Sequence, residues 1–304
     1  EKDAAFLKLY DGHDWKWFAV RLKHTDMEYL RKHWSGKKAS APMLEKKHDK
    51  YFLRFTYAEE VALNRTPVKE QTICSVDLGI NTDAVCTIMR PDGTILGRKF
   101  INFPSDKDRM YRVLGRIRRF QREHGSRQVQ GRWAYAKRLN TELGKKIARE
   151  IVFYASENRA DVIVFEYLEM KGKLSGKKKQ KLQMWRKRDI QKRCGQQAHR
   201  KGIRISRICA WNTSRLAFDG SGKIDRDIQD HRLCTFQNGK RYNCDLSASY
   251  NIGARYFIRE ILKPLPATER SLLEAKVPAV KRRTSCVYAD LRDLISEMEL
   301  RKAA

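Results

Sequence analysis

Four apolar residues in unbroken succession, Val162-Ile163-Val164-Phe165, constrain this chain's fold more than any other stretch. A run with no polar alternation suits a strand buried on both faces, and such a strand needs cover on both sides of its sheet. The run ends in a carboxylate, Glu166. An earlier run, Thr72-Ile73-Cys74-Ser75-Val76, ends the same way at Asp77 and continues into Leu78-Gly79. Asp and Gly favour turns, so Asp77-Leu78-Gly79 is sufficient simply to end a strand. The rest of the chain decides whether the acids do more.

The surrounding pattern is mixed. Residues 5–58 read as strands with a polar insert: Phe6–Tyr10 and Trp15–Leu22 flank the turn-rich Asp11-Gly12-His13-Asp14, and Tyr51–Tyr57 alternates. Residues 59–71 are polar, contain Pro67 and read as a linker. Residues 72–103 read as three strands, with Pro91-Asp92-Gly93 as a hairpin turn. Met110, Val113, Leu114, Ile117 and Phe120 form a stripe at helical spacing, predicting a helix over 106–124. Leu143, Ile147, Ile151 and Tyr154 predict a second helix ending near Asn158. Residues 171–193 are a Lys/Arg run and read as a surface segment. Another helix and strand lead to Cys209, and residues 212–244 are turn-rich. Asp245 opens a helix running through Tyr256, Phe257 and Ile261, and a tail with its own short helix closes the chain.

Charge sets the partner class. Lys and Arg outnumber Asp and Glu 65 to 36, a formal +29 over 304 residues. A fold does not need that excess, and it costs self-repulsion. It suits a polyanion, most simply DNA or RNA. The basic residues are spread along the chain rather than confined to one amphipathic helix, which disfavours a membrane surface. No apolar run approaches a membrane span, and the N-terminus does not resemble a signal peptide. Seven cysteines, an odd number in a large chain, fit reduced thiols in a cytosol. The expected location is a prokaryotic cytoplasm, associated with the nucleoid.

Asp77 and Glu166 end strands, and Asp245 starts a helix. Such ends converge at one edge of a mixed sheet in many α/β active sites. Three gathered carboxylates repel one another and take up protons or bind a cation. Mg²⁺ suits an all-oxygen site, and two such ions about 3.5–4 Å apart stabilise both oxygens in phosphodiester cleavage. Gly79 leaves room for close backbone approach beside Asp77. Taken singly, each acid has an ordinary reading. Asp77 ends a strand, Glu169 is an alternative acid to Glu166, and Asp245 is a helix N-cap. The Arg-rich outer faces of the helices are either solvated or phosphate-binding. The candidate nucleic-acid contacts are Arg112, Arg116, Arg119, Arg122, Lys137, Arg138, Trp185 and Arg186, with Trp133 or Trp185 available for stacking.

Asp77-Leu78-Gly79-Ile80-Asn81, Phe165-Glu166-Tyr167-Leu168 and Asp245-Leu246-Ser247-Ala248-Ser249-Tyr250-Asn251-Ile252 resemble the three split motifs of a RuvC nuclease domain. Their order, with basic helices between the first two, is similar to the transposon-encoded TnpB proteins and the type V CRISPR effector nucleases. The resemblance spans roughly 72–262 and its third motif is the most specific. It implies an α/β, RNase H-like fold with Asp77, Glu166 and Asp245 as an acidic triad holding Mg²⁺. It also implies a guide RNA partner and a DNA target found by base pairing. The implied organisation is a partial wedge-like β-domain over 1–70, and a nuclease domain over 71–211 with its third-motif helix over 245–262. An insert over 212–244 and a C-terminal tail over 263–304 complete it. An earlier wedge strand and a helical recognition domain would lie upstream of Glu1.

One departure concerns zinc. The family carries a ribbon with two Cys-x-x-Cys pairs, the first after Thr-Ser. Here Thr213-Ser214 is followed by Ala217 and Gly220 where the first pair belongs, and Gln237 replaces the partner of Cys234. One thiolate cannot hold a structural zinc. The expectation is a degenerate, zinc-free ribbon held by turns and packing. The leading expectation is therefore an RNA-guided, metal-dependent DNA endonuclease. Two alternatives stay open: a guided DNA-binding protein that no longer cuts, and a RuvC-like resolvase or transposase that works without RNA.

Overall fold

A computed structural model describes residues 3–47, 49–125, 129–167, 187–282 and 284–303. The chain divides into two compact units, Glu1–Val61 and Ala62–Ala304.

In the first unit, β1 (Ala4–Tyr10) and β2 (Trp15–Arg21) form an antiparallel hairpin, with Tyr10 opposite Trp15 at the turn. The Asp11 carboxylate accepts from His13 N at 2.9 Å and Asp14 N at 2.8 Å, closing the turn as Asx residues do. A second hairpin joins β3 (Met43–Lys47) to β4 (Lys50–Arg54). Between the hairpins the expected polar insert folds as a helix, α1 (His24–Trp34). Its eleven residues contain no Gly or Pro, and Asp26 sits in the first turn where the helix dipole favours an acid.

The second unit is built on a five-stranded sheet of order β7-β6-β5-β8-β9. The strands are β5 (Ile73–Asp77), β6 (Ala84–Met89), β7 (Ile95–Ile101), β8 (Val162–Tyr167) and β9 (Arg204–Cys209). β5, β6 and β7 pair antiparallel, whereas β5, β8 and β9 pair parallel. The parallel crossovers carry helices, as they must. These are α2 (Pro104–His124) and α3 (Gln130–Glu157) before β8, and α4 (Lys187–His199) before β9. The ribbon β10 (Asp225–Arg226), β11 (Leu233–Thr235) and β12 (Arg241–Asn243) precedes α5 (Cys244–Leu262), followed by α6 (Ala267–Lys276) and α7 (Tyr288–Ala303). The mixed α/β architecture expected from the sequence is the one observed.

The central strands are buried on both faces. Cys74, Val76, Ile163 and Phe165 pack against α3 and α4 through Ile147, Ile151, Ile190 and Cys194. Ile73, Val162 and Val164 face the other way, into a core shared with α5. α5 is buried on all sides from Leu246 to Ile258, so one sheet cannot cover it. The residues expected to form a tail supply the second cover. Leu273, Val280, Leu291 and Leu294 lie in the same core. Residues 187–193, read as part of a surface segment, begin α4, where Ile190, Cys194 and Ala198 form a buried stripe at four-residue spacing. The expected linker is likewise fastened over 64–71. Asn64 N donates to Gly202 O at 2.7 Å, and Thr66 Oγ1 to Asp161 at 2.5 Å.

Candidate active site

The parallel register of β5 and β8 places Val76 opposite Phe165, so Asp77 and Glu166 follow at the same level. Side chains alternate along a strand. Asp77 therefore shares the face of Ile73 and Ser75, and Glu166 that of Val162 and Val164, which is the face α5 covers. Both carboxylates are buried, each only 8% exposed.

α5 brings the third acid. Its N-cap is Asn243, whose Oδ1 accepts from Leu246 N at 2.9 Å. That corrects the capping reading of Asp245. With the cap supplied two residues earlier, the Asp245 carboxylate is released from the helix end. It points back toward β5, with Oδ2 3.8 Å from where a Cβ on Gly79 would stand. Gly79 has a firm reason to be glycine: a Cβ there would collide with the Thr82 carbonyl oxygen, because residues 79–82 curl back on themselves. That curl sets Thr82 beside Asp245, whose carboxyl it draws down. On the other side, Thr213 donates its hydroxyl to Glu166 Oε1.

Electrostatics tie the three acids together. Burial, Glu166 and Asp245, in that order, push the Asp77 carboxyl well above the usual carboxylate range. Burial also raises Asp245, against the lowering effects of Thr82 and the Arg226 charge. Arg226, on β10, lowers Asp77 as well. Among the described residues none donates a hydrogen bond to Asp77. A buried carboxylate without a donor, flanked by two others, is the donor chemistry of a hard cation. The arrangement is open, however. No three His, Cys, Asp or Glu side chains among the described residues are gathered into a closed metal-binding group.

The basic candidates fall into two sets. Arg112, Arg116, Arg119 and Arg122 on α2, and Lys137 and Arg138 on α3, are all exposed. Trp185 and Arg186, with Glu169, lie outside the described residues. Trp133 is not free to stack, because it packs against the Met110–Ile117–Ala136 cluster between α2 and α3. Tyr135 stands beside this cluster instead. Arg109 Nη2 donates to its hydroxyl at 2.6 Å, and Arg109, Arg112 and Arg116 line a cleft with it.

The insert has an apolar centre. Ala217, Cys234, Phe236 and Cys244 are buried together, and Phe218 contacts the rings of Phe236, Tyr242, Tyr250 and Tyr288. Cys234 Sγ donates to Tyr242 O at 3.4 Å.

Sequence reasoning missed Thr82, Arg226 and the capping role of Asn243. An Asn immediately before an apolar helical run is a start signal and identifies the cap. Neither Thr82 nor Arg226 carries a local signal.

No family model matches the chain, and no curated protein matches it. Among solved structures it is similar to a Cas12f1–sgRNA–target DNA complex, at 18% identity and TM-score 0.49, over 69% of this chain and 54% of that one. It is similar to a CRISPR-Cas12f ternary complex at 15% identity and TM-score 0.44, over 77% and 49%. It is also similar to an AacC2c1–sgRNA binary complex at 9% identity and TM-score 0.45, over 84% and 48%. The chain spans about half the length of each. These neighbours are type V CRISPR effectors, the kind that the three motifs resemble.

Proposed function

We propose that this chain is the nuclease portion of an RNA-guided DNA endonuclease, with an RNase H-like domain whose acidic site is Asp77, Glu166 and Asp245. The observation that carries the reading is the Asp77 carboxyl. It is buried, has no described donor, and is raised first by that burial and then by Glu166 and Asp245 beside it. A fold gains nothing from such repulsion, so it marks a site rather than a support. The sheet order and the helix over its face support an RNase H-like domain.

The three carboxylates would hold Mg²⁺. When bound, divalent cations there neutralise charge on the attacking and leaving oxygens of a phosphodiester. The chain's own contribution is to fix the acids on rigid elements and to exclude bulk water from Asp77. The exposed arginines of α2 and the basic residues of α3 supply phosphate contacts for a guide RNA and its DNA target. The apolar centre of the insert supports the reading of a degenerate ribbon held by packing.

The test is to purify the full-length protein with its native flanking locus, extract bound nucleic acid, and assay plasmid cleavage with Mg²⁺ beside Asp77→Ala. A discrete bound RNA, with cutting lost in the variant, is expected. Cutting without RNA would instead identify a resolvase-like enzyme. A second reading, a guided binder that does not cut, is favoured by the absence of a closed three-ligand group among the described residues. Its signature is bound RNA with no cutting by either protein.

A further inference from the structure

Trp211 leaves its indole in solvent, 67% exposed. Among the described residues it meets no aromatic ring and no cation. Tyr111 and Phe153 are exposed too, but Arg118 and Lys99 lie over their rings. An exposed apolar side chain by itself is ordinary. What sets Trp211 apart is the backbone that presents it.

That backbone is gripped from α5. Arg255, itself 3% exposed, donates from Nη1 to Cys209 O at 2.9 Å and to Trp211 O at 2.7 Å. The next residue, Asn212, has φ 56°, a left-handed conformation uncommon outside glycine. Its carbonyl accepts from Arg215 N at 3.0 Å and Leu216 N at 3.1 Å. Asn251, fully buried, donates from Nδ2 to Thr213 O and Leu216 O, both at 3.0 Å. Thr213 then donates its hydroxyl to Glu166. Two residues of chain span at most about 7 Å, so the indole is rooted beside the residue that touches the buried acid. A loop fixed in this way presents its exposed ring without further ordering cost on binding.

The chemistry of the exposed groups selects a partner. An indole has two apolar faces and few rotatable bonds, and it stacks on any base because every base has a π-face. Four residues on, Arg215 is exposed and pairs with no carboxylate among the described residues. An unpaired guanidinium beside an open ring suits a phosphate next to a base.

We infer that Trp211 is a stacking platform for an unpaired base of the nucleic-acid strand that reaches the acidic site, with Arg215 on a neighbouring phosphate. The inference rests on the nuclease reading proposed above and names how that site holds its strand.

The experiment uses the full-length, RNA-loaded protein with divalent metal chelated. Its ligand is a short DNA strand not complementary to the bound RNA, beside an abasic strand of the same length. Anisotropy gives both affinities for wild type, Trp211→Ala and Trp211→Phe, and a 5-bromouracil strand is crosslinked by light and the attached peptide identified. The expected result is a crosslink on the peptide containing Trp211. In Trp211→Ala, binding of the base-bearing strand should weaken about tenfold, with abasic binding and melting temperature unchanged. Trp211→Phe should recover most of the affinity. Equal losses on both strands, no loss on either, or a crosslink elsewhere with none at Trp211 would each overturn the proposal, the last two in favour of a protein contact. Cleavage by Asp77→Ala separates the two claims. If that variant still cuts, the acidic-site reading falls, while the crosslink and the abasic comparison continue to decide the role of Trp211.

Discussion

Val76 and Phe165 lie opposite each other across β5 and β8, and the residue after each is a buried acid. Adjacent strands are about 4.8 Å apart, so Asp77 and Glu166 leave the sheet as neighbours. The folded chain raises the pKa of Asp77 above its unfolded value of 3.8. It therefore holds a proton that the unfolded chain has released, and this group makes stability fall as pH rises from about 4 through the raised pKa. Asp77→Asn removes the effect. Its denaturation midpoint should exceed that of wild type at pH 7, with the gap closing toward pH 4. Mg²⁺ should stabilise the wild type and leave the variant unchanged.

Two glycines with opposite surroundings separate a packing effect from a propensity effect. Gly79→Ala drives a Cβ into the Thr82 carbonyl oxygen and displaces the turn that serves Asp245. A loss of about 1–3 kcal/mol is expected, together with weaker cleavage. Gly115 sits within α2 with nothing within 4 Å of a built Cβ. Gly115→Ala should stabilise by about 1 kcal/mol. Thermal melts of the two variants check both signs.

Asn243 and Asp245 stand two residues apart at the start of α5 and should respond in opposite ways. Asn243→Ala removes the cap to Leu246 N and should cost about 1 kcal/mol. Asp245→Asn leaves the cap in place. It should melt no lower than wild type, since burial disfavours its charge, while DNA cleavage is lost. Paired melting and cleavage assays would show this crossing; loss of stability in Asp245→Asn would count against it.

Asn251 partners Thr213 O, Leu216 O and Tyr288 N from a fully buried side chain. Asn251→Leu is close in size but orphans all three backbone groups. A destabilisation of about 3 kcal/mol or more is expected, since each buried unpaired group costs about 1–3 kcal/mol. Chemical denaturation measures it. Hydrogen exchange should locate the loosening in residues 209–218 and the segment leading into α7.

Much of the site was legible because its signals are local. Apolar runs ending in acids mark β5 and β8, and a densely apolar segment opening at Asp245 marks α5. The helix at 24–34 and the packing of 263–304 were not legible in the same way. The first has only a weak apolar stripe among charges. The second is held by an α5 surface that must be covered on all sides, which no short window of sequence reports.

The sequence by itself determined which residues carry acid, which strands are buried on both faces, and how large the excess of positive charge is, because composition and short-range periodicity encode those properties directly. Tertiary structure alone decided that Val76 faces Phe165, that Thr213 reaches Glu166 across 47 positions, and that Gly79 lets Thr82 meet Asp245. Register, close approach and hydrogen bonding across the chain depend on how elements pack. Packing is settled by the whole core at once rather than by any one stretch of it.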